Sequence, residues 1–197
     1  MTELKPVALK EWAVAIQALE NGSQLILLRK GGIIEETRDF RLESKTFFLY
    51  PTYEHQKKDL LKKEYQPGFE EIVTAWDKKA ETVAITSYAD AVMDLEIFDQ
   101  DELDLLFPFH IWTEYFAEER LKWKKLEPLH VLILRVYKLA EPLVIPVLPE
   151  YNGCKSWIQL QLDGSEAALT PNIKGNPVLT DEQFDEIVTE IRQAIAE

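Results

Sequence analysis

Apolar residues recur along this chain with two periods, and each period predicts a different kind of element. Steps of three and four residues between Val7 and Leu19 predict a first amphipathic helix, and the same spacing predicts a C-terminal helix over about 180–196, capped by Thr180. Runs rich in β-branched and aromatic residues predict strands. These runs are "SQLILLRK", "KTFFLYP", "EPLHVLILRVYKL" and "CKSWIQLQL".

Residues 69–123 carry weaker signals. "EEIVTAW" and "ETVAITSY" predict either a second hairpin or, for the first of them, a helix from Phe69 to Lys79. A short helix is expected before Pro108, and a longer one over "IWTEYFAEERLKWKKL". The whole pattern indicates an α+β fold, with a mixed or antiparallel sheet packed against an N-terminal helix, central helices and a C-terminal helix. Since no repeat or long linker divides the chain, residues 1–197 are expected to form one domain.

The stretch "FFLYPTYEHQKKDLL" changes character at Pro51, where the strand is predicted to end because proline cannot donate to a β-ladder. Thr52 is then predicted to cap a helix that continues to about Glu64. The free amides of the first turn of that helix would attract an anion, and His55 beside them is expected to titrate low and stay mostly neutral at pH 7.

Two groups of polar residues follow predicted strands and suit anion binding. Arg29 and Lys30 end a strand beside Gly31 and Gly32, the predicted turn of a hairpin, where a guanidinium and exposed amides can hold a phosphate. A solvated hairpin tip and a simple capped helix are the plainer alternatives. The predicted ligand-binding residues are Arg29, Lys30, Thr52, Tyr53, His55 and Gln56, and all but Thr52 are expected to line one cleft near the ends of adjacent strands.

Other groupings of polar residues are better explained by structure or chance. His110 and Glu114 are four apart, which suits a metal pair, but a solvated acidic face is the better explanation. Asp39 and Glu43, with Glu11 on the first helix, suggest a metal-dependent nuclease, but only three residues separate the first two, so chance is the better explanation. A nucleophilic Cys154 would need one of the three His as its base, and a small buried residue beside a turn is the better explanation. Standard nucleotide and catalytic motifs are absent. The sequence therefore predicts no metal site and no cofactor.

Charge and composition restrict the class of protein. The chain carries 35 acidic and 22 basic residues, a net charge of −13, which disfavours duplex DNA and anionic membranes as partners. Its apolar runs are too short for a membrane span. A lone Cys154 and the lack of a signal-peptide pattern favour a reducing, cytoplasmic setting.

Four phrases in this order, "LLRKGGI", "FFLYPTYEHQ", "LRVYKLAEP" and "YNGCKSW", resemble the bacterial family known as domain of unknown function 1802. The resemblance spans nearly the whole chain. It implies a compact stand-alone protein, and it assigns no reaction, cofactor, partner or residue role.

Two functions remain as hypotheses. The favoured one is a ligand-binding or regulatory module that recognises a phosphate-bearing small molecule or single-stranded nucleic acid, with Tyr53 or Trp112 available for stacking. The alternative is a hydrolase or nuclease-like enzyme acting on a phosphodiester, with His55 as its acid or base. The module is favoured slightly because no acid, base and nucleophile stand at a convincing spacing. A protein partner is a further open expectation.

Overall fold

A computed structural model describes residues 6–30, 40–123, 126–162 and 175–196 of the chain. The predicted Gly31 and Gly32 turn, and Asp39, lie outside these described residues. The strands are β1 (Val7–Trp12), β2 (Ile26–Arg29), β3 (Thr46–Thr52), β4 (Thr82–Ile97), β5 (Leu129–Pro146), β6 (Trp157–Gln159) and β7 (Gly175–Pro177). The helices are α1 (Ala13–Glu20), α2 (Gln66–Ala75), α3 (Gln100–Leu105), α4 (Glu114–Lys122) and α5 (Asp181–Ala194). Short 3₁₀ turns span Lys58–Leu60, Lys63–Tyr65, Phe107–Phe109 and Pro149–Tyr151.

The strands form one mixed sheet in the order β2-β5-β4-β3-β1-β6, and β7 pairs with β5. β1 and β3 run parallel, whereas the other neighbours run antiparallel. Arg29 on β2, at one end of this order, donates a hydrogen bond to the Lys10 carbonyl on β1, near the other end, at 3.3 Å. The sheet must therefore curl to bring these two strands together. The predicted α+β class with a mixed sheet is confirmed.

The two faces of the sheet bury different side chains. Leu9 and Leu49 enter the larger cluster together with residues of α1, α3, α4 and α5, whereas Ala8 and Tyr50 on the alternate positions enter a smaller cluster on the other face. The helices therefore pack on one face of the sheet, and the carboxyl ends of β1 and β3 lie beside the first turn of α1. Among the described residues, no helix is long and apolar enough to cross a bilayer.

The predicted first helix over Val7 to Leu19 is partly wrong. Residues 7–12 form β1 between β3 and β6, and α1 begins at Ala13. Buried Ala8 and Leu9 fit a central strand as well as a helix, since a short apolar run does not distinguish the two. Pairing with strands far along the chain decided the outcome.

The predicted helix from Thr52 to Glu64 is also wrong. Thr52 is the last residue of β3, in register with Trp12 of the parallel strand β1, and its hydroxyl donates to the Glu11 carbonyl at 3.0 Å. The β-ladder holds Thr52 extended, so no helix begins there and the helical amides proposed to attract an anion are absent from this position.

Four other predicted elements have clear outcomes. The helix alternative for "EEIVTAW" is confirmed by α2, and the predicted strand in "ETVAITSY" lies within β4. α4 begins at Glu114 after the N-cap Thr113, so His110 does not share a helical face with Glu114. The C-terminal helix is confirmed, with Thr180 and Gln183 forming a capping box.

Candidate anion-binding site

A buried ion pair joins the ends of two strands on the helix side of the sheet. The Arg29 guanidinium donates to Glu11 Oε2 at 3.0 Å, and the two side chains are 11% and 8% exposed. Glu11 Oε1 accepts the Trp12 amide at 2.7 Å, which holds the carboxylate at the start of α1. Both carboxylate oxygens are therefore engaged, and the position of the Arg29 side chain is set by β1.

A second guanidinium, that of Arg120 on α4, lies in the electrostatic field of this pair. Burial lowers the pKa of Arg120, the positive charge of Arg29 lowers it further, and the carboxylate of Glu11 acts in the opposite direction. The Arg120 guanidinium lies 5.0 Å from the centre of the Phe116 ring. The charges of Arg29 and Glu11 therefore both act on Arg120, and the three groups together carry one surplus positive charge in a partly buried region.

One donor of Arg29 has no acceptor. Its Nε is buried, and none of the residues in the described part of the chain accepts a hydrogen bond from it. A buried guanidinium donor without a partner costs free energy, whereas an anionic oxygen would satisfy it. The Arg29 side chain can thus make more hydrogen bonds than Glu11 and the Lys10 carbonyl accept.

Lys30 anchors α4 to the end of β2. It is 3% exposed, and its ammonium donates to the Leu121 carbonyl in the last turn of α4, with burial lowering the pKa of this amine. A cation that binds the last carbonyls of a helix complements the negative end of the helix dipole. Lys30 therefore holds the α4 backbone beside Arg29.

Aromatic side chains form the wall between α1 and α4. Trp12 meets Trp112 edge-on with 5.1 Å between ring centres, and Trp112 stacks on Phe116 at 4.3 Å. Trp112 is 2% exposed. It is therefore a packing residue, and its faces are closed to a ligand.

The loop after β3 is tied to the start of α1. Gln56 Oε1 accepts the Val14 amide at 3.3 Å, and Gln56 Nε2 donates to the Tyr53 carbonyl at 3.2 Å. The Tyr53 ring stacks on Trp76 at 5.3 Å between ring centres, and burial, with a smaller effect from Glu20, raises the pKa of its hydroxyl. Gln56 thus caps α1 with its side chain.

His55 lies at the tip of this loop. It is exposed and adopts a φ of 63°, a left-handed conformation that is strained for a side chain with Cβ. The helix on which its predicted titration rested is not formed. The nearest regular element after it is the 3₁₀ turn that starts at Lys58.

The structure brings together part of the predicted set. Arg29, Thr52 and Gln56 all bond to backbone or side chains between Lys10 and Val14. Lys30 instead binds α4, while Tyr53 and His55 extend along the loop. That these residues line one ligand cleft stays a prediction.

Sequence reasoning considered Glu11 only as a carboxylate grouped with Asp39 and Glu43, and it did not single out Arg120. Glu11 was detectable as a lone acidic residue within an apolar stretch, and Arg120 as a cation one turn after Phe116 on the same helical face. Neither signal identifies the partner, because Glu11 and Arg29 are 18 residues apart and α4 lies about a hundred residues further on.

The remaining candidate groups have structural surroundings. His110 is 1% exposed, its Nδ1 accepts the Trp112 amide at 3.2 Å, and burial lowers its pKa to about 3. His130 pairs with Asp94 at 2.9 Å. Cys154 is exposed. Within the described ranges, no group of three or more His, Cys, Asp or Glu could hold a metal ion.

Comparison with known proteins identifies a family and a distant likeness of fold. A model described as "Domain of unknown function (DUF1802)" matches residues 8–190. No curated protein matches the chain. The fold is similar to the crystal structure of ASCH from Zymomonas mobilis, with a TM-score of 0.47 and 10% identity over 84% of this chain and 94% of that chain. A serine-to-alanine mutant of the same protein gives a TM-score of 0.46 and 10% identity, over 87% of this chain and 99% of that chain. At these values the likeness carries no functional argument.

Proposed function

The chain belongs to this family of unknown function, DUF1802, and we propose that it is a binding module whose site at Glu11, Arg29 and Arg120 takes a phosphate-bearing ligand. The proposal rests on a single observation, the buried ion pair of Arg29 and Glu11, whose charges act on the nearby guanidinium of Arg120. Guanidinium groups match phosphate oxygens with paired hydrogen bonds, and they do so best where water is scarce.

Charge balance supports an anionic ligand. Glu11 neutralises one of the two guanidiniums, so Arg29, Arg120 and Glu11 together carry one surplus positive charge. The free Nε donor of Arg29 adds a hydrogen bond that no described residue fulfils. A phosphate group would supply both the charge and the acceptor.

The net charge of −13 restricts the size of the ligand. A long polyanion would be repelled by the rest of the surface, whereas a small phosphate-bearing molecule or a short single strand would meet mainly the local positive site. Duplex DNA stays disfavoured on the same ground.

A phosphodiester hydrolase is the second candidate function, and one observation favours it. His130 pairs with Asp94 at 2.9 Å, and the Phe40 ring lies 5.4 Å from the ring of His130 and 5.6 Å from the Arg29 guanidinium. A histidine oriented by a carboxylate is a common general base. His130 replaces His55 as the better acid or base candidate, since His55 lies in an exposed turn.

Calorimetric titration tests the binding proposal. Inorganic phosphate, ribose 5-phosphate and a nucleoside monophosphate would be titrated at low ionic strength into the wild type, Arg120→Ala and Lys122→Ala. Lys122 is a matched control, because it is an exposed cation of the same helix that pairs with Glu118. We expect Arg120→Ala to weaken binding at least tenfold and Lys122→Ala to change it less than twofold. Equal effects of the two variants, or no binding of any phosphate compound, would overturn the proposal.

Turnover assays separate the two functions. A chromogenic phosphodiester would be incubated with the wild type and with His130→Gln, each with and without added divalent cations. Binding without turnover is expected of a module. Turnover that His130→Gln abolishes would instead make the protein a hydrolase.

A further inference from the structure

Three residues on one side of α4, called the α4 stripe here, extend from the core past the anion site to the surface. Phe116, Arg120 and Trp123 are spaced by four and three residues, so they lie on one side of the helix. Phe116 is 8% exposed, Arg120 is partly buried, and Trp123 is 49% exposed. The α4 stripe therefore places the half-exposed indole of Trp123 next to Arg120, the cation that is proposed to hold phosphate.

The backbone of Trp123 is held by α4. Its amide donates to the Glu119 carbonyl at 3.0 Å, so its backbone is still held by the last turn of α4. Lys30 binds the Leu121 carbonyl in the same turn and ties it to the end of β2. Arg29, Arg120 and Trp123 are thus held on adjoining rigid elements.

About half of the Trp123 side chain is exposed to water, whereas other aromatic rings near the site pack against one another. Trp112 and Phe116 stack on each other, and Tyr53 stacks on Trp76. Exposed aromatic rings beside cations are the means by which proteins hold nucleobases next to phosphates, because every base has a flat π face.

We infer that Trp123 is a stacking surface for a nucleobase, so the ligand class is a nucleoside phosphate, either free or at the end of a short single strand. This inference rests on the proposed function, because it requires Arg120 to hold the phosphate. It goes further by naming the second chemical group of the ligand and the residue that recognises it.

The test compares ligands with and without a base on three variants. Ribose 5-phosphate, adenosine monophosphate and a 5′-phosphorylated tetranucleotide would be titrated into the wild type, Trp123→Ala, Trp123→Phe and Tyr115→Ala. Tyr115 is a matched control, because it is an aromatic residue of the same helix, 62% exposed, about 12 Å from Trp123 along the helix axis.

We expect Trp123→Ala to weaken binding of the base-bearing ligands by about 5- to 150-fold and to leave binding of ribose 5-phosphate unchanged. Trp123→Phe should restore most of the affinity, and Tyr115→Ala should match the wild type. A loss confined to the tetranucleotide would identify the strand end as the source, and an equal loss with adenosine monophosphate would identify a free nucleotide.

Failure of the inference and failure of the proposed function give different results. If all three ligands bind through Arg120 but Trp123→Ala weakens them equally or not at all, the base-stacking inference is wrong and the phosphate site stands. If none binds, both are wrong, and the exposed indole together with the 94% exposed Leu126 would then fit a protein contact.

Discussion

The Glu11 carboxylate accepts a hydrogen bond from Arg29 at 3.0 Å across strands that are not neighbours in the sheet. Its other oxygen accepts the Trp12 amide at the start of α1. One acidic side chain thus orients Arg29 of the proposed anion-binding site and also joins β1 to α1. A change at Glu11 should therefore alter both stability and ligand affinity.

We expect Glu11→Ala to lower the free energy of unfolding by about 3 kcal/mol, because it leaves the Arg29 charge buried without its partner. Replacing both members of the pair, by Glu11→Leu with Arg29→Met, should cost less than Glu11→Ala alone. Urea unfolding followed by fluorescence measures both values, and Glu81→Ala at an exposed position serves as the control. A double variant less stable than Glu11→Ala would contradict this account.

Lys30→Met should lower the free energy of unfolding by about 2 kcal/mol, because it removes a charged hydrogen bond to the Leu121 carbonyl while keeping most of the aliphatic stem. Lys79→Met at an exposed site should have little effect. Hydrogen exchange would show the loss concentrated in the last turn of α4. Uniform exchange across the protein would argue against an anchoring role for Lys30.

Thr180→Ala should cost about 1 kcal/mol, since the Thr180 hydroxyl accepts the Gln183 amide at 3.2 Å in the capping box of α5. Thr189→Ala in the middle of the same helix is the matched variant, and it should be neutral or slightly stabilising because alanine favours helix more than threonine. Thermal unfolding of the two variants gives the comparison, and equal melting temperatures would refute the capping argument.

The free energy of unfolding should depend on pH because His110 is buried. Its folded pKa is lowered to about 3 by burial and by the charge of Lys62, below the unfolded value of 6.5. The unfolded chain therefore takes up a proton that the folded protein refuses, so stability falls as pH drops through 6.5 toward 3 and is unaffected above that range. Between pH 7 and pH 5 this group should cost about 2 kcal/mol.

The contribution of His110 is isolated by comparing the wild type with His110→Gln. Urea unfolding at pH 7 and pH 5 should show a smaller loss on acidification in the variant, because glutamine does not titrate. The same loss in both proteins would mean that other groups, and not His110, set the acid sensitivity.

Backbone strain at His55 should affect the stability of variants at this position. Its φ of 63° favours glycine, so His55→Gly should be about 1 kcal/mol more stable than His55→Ala, although both remove the imidazole. Urea midpoints give the difference directly. If alanine is the more stable of the two, the turn does not hold this conformation in solution.

Local pattern was enough for elements whose sequence signals act over a few residues. The C-terminal helix was predicted from its apolar stripe and its Thr180 cap, and the strand in "EPLHVLILRVYKL" from its run of β-branched and other apolar residues. The α+β class followed from the sum of such signals. The helix from Thr52 and the early part of the first helix failed because both segments pair with distant strands, and a β-ladder overrides local capping preference.

The candidate site divides in the same way. The sequence by itself determined which cations stand at strand ends, and it pointed to Arg29 without its partner. Only the tertiary structure decided that Glu11 would neutralise Arg29, that Lys30 would bind α4 across 91 residues, and that Arg120 would join the site. Periodicity reports the face on which a side chain lies, whereas the charge buried opposite to it depends on how elements far apart in sequence pack.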